Sequence, residues 1–121
     1  MRLTKKEAEI MEIIWNSDKA LSSSDILEDH PELNRNTVLV ILKKLLSSGF
    51  LQIQTTEIKS KVLTRFYSPK ISKYEYEKSK IGADRLFGFV TKFVEDDVND
   101  DDELEELEKI IQEKKKRLMK K

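Results

Sequence analysis

The chain contains no cysteine, and its single histidine is His30. The lack of cysteine excludes disulfides, thiolate metal ligands and cysteine nucleophiles, and one histidine alone does not make a metal site. Glycine is also scarce, with three in 121 residues, and no glycine-rich phosphate loop can be traced among them. We therefore expect no catalytic residues, no metal site and no cofactor, and we predict that the protein is not an enzyme.

Long apolar runs are absent as well. No stretch approaches the roughly 20 apolar residues that a membrane-spanning helix requires, and the first residues lack the apolar core of a signal peptide. Hydrophobic and charged residues each make up 38% of the chain, which is typical of a soluble, helix-rich protein. We expect a cytoplasmic protein that makes no contact with a membrane.

The charges balance to a net charge of +0 at pH 7, so the molecule as a whole is not a polycation. Any binding to nucleic acid must therefore come from local basic clusters. Residues 1–70 contain 11 basic and 9 acidic residues, whereas residues 71–121 contain 12 and 14. The N-terminal part is the better candidate for DNA binding, by a small margin.

Three short helices are predicted in the first part of the chain. Thr4 and Glu7 form a capping box, in which each side chain accepts a hydrogen bond from the backbone amide of the other residue. Ser22 and Asp25 repeat this spacing and predict the start of a second helix. Asn34 is the N-cap expected for a third helix, which continues with an apolar stripe.

A β-hairpin is predicted directly after the third helix. Gly49 stands where the end of a helix favours left-handed backbone. Residues 50–54 and 62–67 then have the character of two strands, separated by a polar loop at residues 57–61. Three helices followed by a hairpin is the element order of a winged helix-turn-helix domain.

Two amphipathic helices are predicted in the C-terminal part. Ser72 caps a fourth, longer helix, and a fifth follows an acidic break. Two such helices cannot form a stable core alone, so we expect them to pack against their copies in a second chain. The predicted fold is mainly α with a small β-hairpin, with a winged-helix DNA-binding domain at residues 1–70 and a helical dimerisation region at residues 71–121. The expected dimerisation residues are Leu86, Phe87, Val90, Phe93, Leu104, Leu107 and Ile111.

The third helix is the element that enters the major groove in a helix-turn-helix module. With its apolar stripe toward the core, Asn36 can pair with an adenine edge, and Thr37 can reach a base or a phosphate. Leu39 or Val40 would contact thymine methyl groups, and basic residues would contact phosphates. The predicted DNA-binding residues are Arg35, Asn36, Thr37, Val40, Lys43 and Lys44 on this helix and Lys59 and Lys61 on the hairpin, with Arg65 beside them.

The apolar pair Leu39 and Val40 also supports an alternative function. Exposed apolar patches often mark contacts between proteins, and three-helix modules with a hairpin also serve as adaptors. The alternative is a winged-helix protein–protein interaction module that does not bind an operator directly.

An acidic run before the last helix resembles a calcium-binding loop in part. Asp97, Asn99, Asp101 and Glu108 occupy positions 1, 3, 5 and 12 of that pattern. Position 6, however, is Asp102 instead of the glycine that the loop requires. Acidic residues at the start of a helix and basic residues near its end also complement the helix macrodipole, and we expect this second explanation to hold.

The sequence resembles the penicillinase-repressor family over nearly its whole length. The first matching segment, which ends in Ile-Ile-Trp, is the most specific one. The resemblance is carried by residues 3–15, by Asn36, Thr37 and Val38 with Leu42 and Leu45, and by residues 48–51 and 65–69, and residues 93–95 and 103–107 are similar to the family's dimerisation helices.

This resemblance implies a homodimeric transcriptional repressor that binds a palindromic operator in double-stranded DNA, commonly with TACA and TGTA half-sites. Such repressors control resistance genes, including antibiotic resistance, or metal-homeostasis genes, and Thr37 matches a threonine that the family uses at the DNA. Relatives commonly carry a basic residue and a threonine where this chain has Leu39 and Val40. Copper-responsive members use paired cysteines near the C-terminus, so the lack of cysteine excludes copper sensing by that mechanism.

The resemblance also concerns the release of the repressor from DNA. In relatives that respond to β-lactams, a sensor protease triggers a cut before a phenylalanine in the fourth helix, typically at an Asn–Phe bond. The matching bond here is Lys92–Phe93. A pocket shaped for a small neutral amide disfavours a charged side chain, and Asp96 can hold Lys92 by an i to i+4 contact. We expect this bond to resist that cleavage.

Overall fold

The computed structural model describes residues 2–120, and within them it has six α-helices and one two-stranded antiparallel sheet. The chain divides into two compact units, of which the first ends at Lys80 and the second begins at Ile81. The elements are α1 (Lys5–Trp15), α2 (Ser23–Asp29), α3 (Arg35–Ser47), β1 (Leu51–Lys59), β2 (Val62–Pro69), α4 (Lys73–Lys80), α5 (Ala83–Asp97) and α6 (Asp101–Met119).

The first three helices begin at the predicted caps. Thr4 Oγ1 accepts from the Glu7 amide at 3.2 Å, and Glu7 Oε1 accepts from the Thr4 amide at 2.8 Å, which closes the capping box of α1. Ser22 and Asp25 form the same reciprocal pair at the start of α2. The side chain of Asn34 caps α3. Local chemistry of this kind is short-range, which is why the sequence predicts it.

One apolar core joins α1, α2, α3 and the base of the hairpin. Met11, Ile26 and Leu45 are completely inaccessible to solvent, and deleting such a side chain to alanine costs about 2–5 kcal/mol. The buried side chains that fill this core are Ile10, Met11, Ile14, Leu21, Ile26, Val38, Ile41, Leu42, Leu45, Phe50, Leu51 and Tyr76.

The hairpin is longer than expected. β1 and β2 pair from Leu51 opposite Pro69 up to Lys59 opposite Val62, so the polar loop predicted at residues 57–61 is wrong. β-branched residues at this end of both strands favour extended backbone. Only Ser60 and Lys61 form the turn, with φ angles of 49° and 67°. Positive φ at both central residues is the signature of a type I′ turn, which matches the twist of the flanking strands.

Helix α4 belongs to the first compact unit. Tyr76 is buried, its Oη accepts from the Leu3 amide at 2.9 Å, and its ring centroid lies 5.8 Å from that of Trp15 and 5.7 Å from that of Phe50. The single long helix predicted from Ser72 is therefore wrong, because the chain breaks between α4 and α5. The first unit accordingly extends ten residues beyond residue 70, where we expected the domain boundary.

The break between α4 and α5 lies at Gly82, which has φ −60° and ψ 148°. This extended conformation is open to any residue, but glycine is a poor helix former, which disfavours one continuous helix through this position. The apolar positions expected on the long helix, from Leu86 to Val94, all lie on α5.

The second unit contains α5 and α6. Asp100 Oδ1 accepts from the Asp102 amide at 2.8 Å, which caps α6. Its first turn is acidic and its last turn carries Lys116 and Arg117, which agrees with the macrodipole explanation for this part of the acidic run. The explanation does not apply to residues 95–97, because they lie at the C-terminal end of α5. Among residues 2–120, no three His, Cys, Asp or Glu side chains are grouped to hold a metal ion. No helix in the same range has the length and apolar character needed to cross a membrane.

Candidate nucleic-acid interface

Helix α3 has one buried face and one exposed face. Val38, Ile41 and Leu45 point into the core, as the periodicity predicts. On the opposite side, 41% of Leu39 and 67% of Val40 are exposed to solvent. Large apolar side chains on the outside of a helix are costly to leave in water unless another surface covers them. The exposed face of α3 is thus the first candidate for a binding surface.

The first turn of α3 combines capping with exposed polar groups. Asn34 Oδ1 accepts from the Thr37 amide at 3.1 Å and is also 3.5 Å from Thr37 Oγ1. Thr37 is half-buried and is tied to the cap, whereas Arg35 and Asn36 are exposed. Neither Arg35 nor Asn36 makes a side-chain hydrogen bond or ion pair within residues 2–120. Their donors and acceptors are available to a ligand.

The two lysines in the middle of α3 have different environments. Lys43 is exposed and makes no ion pair with any described residue. Lys44 Nζ lies 2.8 Å from Glu7 Oε2, and the Glu7 side chain is only 3% exposed. The hydrogen bond from Lys44 and the backbone hydrogen bond from Thr4 lower the pKa of Glu7, against the opposing effect of burial. Lys44 therefore has a structural partner that the sequence analysis did not assign to it.

A signal for this partner is present in the sequence. Glu7 falls on the same helical face as Ile10, Met11 and Ile14, so a carboxylate interrupts an apolar stripe. A charged group at a core position is found almost always with a counter-charge. Which lysine supplies that charge is decided by the packing of α1 against α3.

The basic residues of the hairpin lie at its far end. Lys61 is exposed in the turn itself. Lys59 is exposed and its Nζ lies 5.3 Å from the centre of the Phe66 ring, a distance suited to a cation–π contact. Arg65 is exposed and pairs across the ladder with Thr56. The hairpin thus carries three cations beyond its buried base.

Positive charge within the first unit is concentrated in its second half. Residues 35–70, which form α3 and the hairpin, contain seven basic residues and one acidic residue, Glu57. Residues 2–34 contain four basic and eight acidic residues. The totals for residues 1–70 conceal this division, and a count by predicted element would have shown it. An acid-free α3 beside a basic hairpin is the electrostatic footprint of a nucleic-acid-binding surface.

A three-helix module whose third helix offers an exposed, acid-free face, followed by a basic hairpin, defines a winged helix-turn-helix protein. The sequence matches the family described as "Penicillinase repressor" over residues 3–113, and the chain belongs to this family. Membership implies a transcriptional repressor, a regulator and not an enzyme. A comparison with curated proteins gives no match.

Proposed function

We propose that the protein is a homodimeric repressor that binds a palindromic operator in double-stranded DNA and controls resistance genes in the cytoplasm. The observation that carries this proposal is the exposed face of α3, which combines polar, apolar and basic groups and contains no acidic residue. Duplex DNA offers phosphates for the cations and base edges for the other groups. α3 is therefore the recognition helix of the proposed repressor.

The residues of this face divide by the part of DNA that they would contact. Asn36 would pair with an adenine edge from the first turn of α3, and Thr37 would contact a base or phosphate from a position fixed by the cap. Val40 would touch a thymine methyl group. Phosphates would be held by Arg35, Lys43 and Lys44 on α3 and by Lys59 and Lys61 on the hairpin.

The homodimer is proposed because the second unit lacks a core of its own. Among the described side chains of residues 81–120, Val98 is the one that is buried. Phe87 is 78% exposed, and Val90 and Phe93 are about half exposed at 48% and 49%. Helices with so much exposed apolar surface are stabilised when a second copy covers it. We assign the dimer interface to Leu86, Phe87, Val90, Phe93, Leu104, Leu107 and Ile111.

The experiment that tests the repressor is binding to duplexes selected from a random pool, repeated over a range of salt concentrations. Each phosphate contact releases counterions, so affinity should fall steeply as salt rises. Lys43→Ala should weaken binding to all duplexes and reduce the salt slope by about one. Lys19→Ala removes an exposed lysine from the acidic half of the first unit and is the matched control. Equal effects of both variants would contradict the placement of DNA on α3.

A second candidate function is favoured by Leu39 and Val40, whose exposure suits a protein partner. In that case the winged helix is an interaction module that acts without an operator. The random-pool selection separates the two functions, because the module would enrich no duplex. Replacing Leu39 and Val40 by serine would then abolish capture of the partner.

A further inference from the structure

Helix α6 divides its charges into two halves. Residues 101–108 contain six acidic residues and no basic one, whereas residues 109–120 contain six basic residues and one acidic residue, Glu113. The helix runs without interruption from Asp101 to Met119, so both halves lie on one rod. Such a rod is complementary in charge to a second copy of itself that runs in the opposite direction.

The helix macrodipole explains only the ends of this pattern. Its effect falls off within the first and last turns, whereas Glu105, Glu106 and Glu108 lie beyond the first turn. Acidic residues three or four positions apart on one helix repel each other. None of the ion pairs within residues 2–120 involves α6. The charges in the middle of α6 therefore lack a compensating partner within the described part of the chain.

An apolar stripe follows the same helix. Leu104, Leu107, Ile111 and Leu118 recur at the spacing of a coiled-coil seam, and Lys114 takes the remaining position. Ile111 and Leu118 are 53% and 57% exposed. The seam extends through both the acidic and the basic half. A partner that covers the seam therefore also meets the charges on either side of it.

We propose that α6 pairs with α6 of a second copy in antiparallel orientation, with the acidic half of each helix against the basic half of the other. A two-fold axis then crosses the helix pair near its middle, close to Ile111. Parallel pairing would instead place acid beside acid and base beside base, which is unfavourable. The inference rests on the proposed homodimer and adds the orientation in which the two α6 helices meet and the charge pairing that determines it.

The orientation is tested with spin labels on single cysteines, which the natural chain lacks. Glu105→Cys, Gln112→Cys and Met119→Cys place the label at exposed positions seven residues apart on one face of α6. In an antiparallel pair the labels at position 112 are closest, and those at 105 and 119 lie about 20 Å further apart along the axis, at 1.5 Å per residue. Three equal distances between copies would overturn the inference. A monomer in sedimentation would instead overturn the proposed dimer itself.

Charge reversal tests whether the two halves contact each other. Glu103→Lys with Glu108→Lys makes one variant, and Lys115→Glu with Arg117→Glu makes the other. Each should dimerise about tenfold more weakly or worse, because like charges then meet, whereas an equimolar mixture should form heterodimers. Recovery in the mixture shows that both chains still fold. A mixture that dimerises no better than the separate variants would contradict the proposal.

Discussion

Glu7 and Lys44 connect the first helix of the protein to its proposed recognition helix. Glu7 closes the capping box of α1 with Oε1, and its other oxygen accepts a hydrogen bond from Lys44 Nζ at 2.8 Å. The Glu7 side chain is 3% exposed and the Lys44 side chain 56% exposed, so the acidic partner is buried while the basic partner stays in contact with water. Lys44 therefore stabilises the fold independently of any contact with DNA.

Lys44→Ala should reduce the free energy of unfolding by about 1–3 kcal/mol at neutral pH, because the buried carboxylate loses its charged donor. The pKa of Glu7 is lowered in the folded protein, so the stabilisation is present above the pKa of the unfolded chain and disappears as pH falls through the lower folded value. Denaturant unfolding from pH 7 to pH 3 should show wild type and variant converging. The exposed Lys43→Ala is the control and should stay within about 0.5 kcal/mol of wild type.

Thymine methyl groups in the operator should contribute to affinity through Val40. Replacing thymine by uracil in a selected duplex removes only the methyl group, so binding should weaken where Val40 meets the base. The same replacement should have no effect on Val40→Ala, since that variant has already lost the contact. Fluorescence anisotropy with both duplexes and both proteins gives the four affinities. An equal loss in both proteins would show that the methyl group is read by another residue.

Lys61→Gly should raise stability and lower DNA affinity at once. Lys61 has a φ of 67°, a conformation that costs a non-glycine residue about 1 kcal/mol or more. Glycine adopts this backbone without strain but removes a cation from the hairpin tip. Ser60→Asn is the matched control, because asparagine tolerates the φ of 49° at Ser60 and the charge is unchanged. For Lys61→Gly alone, the unfolding temperature should rise while the affinity for duplex DNA falls.

Residues 1–80 should fold as a monomer, whereas residues 1–70 should be markedly less stable. The shorter piece loses Tyr76, which packs between Trp15 and Phe50 and accepts a hydrogen bond from the Leu3 amide. A monomer reads one half-site at a time, so affinity for a complete operator should fall by about 10²–10⁴. Sedimentation, thermal unfolding and operator binding of both pieces check this. A dimer formed by residues 1–80 would contradict the placement of the dimer interface in the second unit.

The sequence predicts features whose causes lie within a few residues of one another. The caps at Thr4, Ser22 and Asn34 are of this kind, and so is the periodic core face of α3. The break at Gly82 was not predicted, because the low helix propensity of one glycine is a weak local signal and the position of α4 depends on the packing of Tyr76 in a core built from distant parts of the chain. The pair between Glu7 and Lys44 was missed for the same reason, since it joins residues on different helices.

Lys92 lies on α5 and forms an ion pair one turn further along the same helix. Lys92 Nζ lies 3.3 Å from Asp96 Oδ2, which confirms the expected i to i+4 contact. Lys92 is 81% exposed and Asp96 54%, so water screens the pair, and it stabilises the helix by only about 0.2–0.5 kcal/mol. A stabilisation of this size would not stop a protease that unwinds the helix. Resistance must come mainly from the charged side chain itself.

The protein should therefore stay intact in cells that carry the β-lactam-responsive sensor of its relatives. A pocket that accepts asparagine would have to desolvate the Lys92 ammonium without a counter-charge, which is far more costly than opening one ion pair. Intact mass after β-lactam exposure measures the outcome, and a fragment ending at Lys92 would contradict the prediction. Lys92→Asn should create a cleavable bond. Asp96→Ala removes the ion pair but keeps the lysine, so this variant should remain uncut. If it were cut, the ion pair that stabilises the helix, and not the charge of Lys92, would be the source of the resistance.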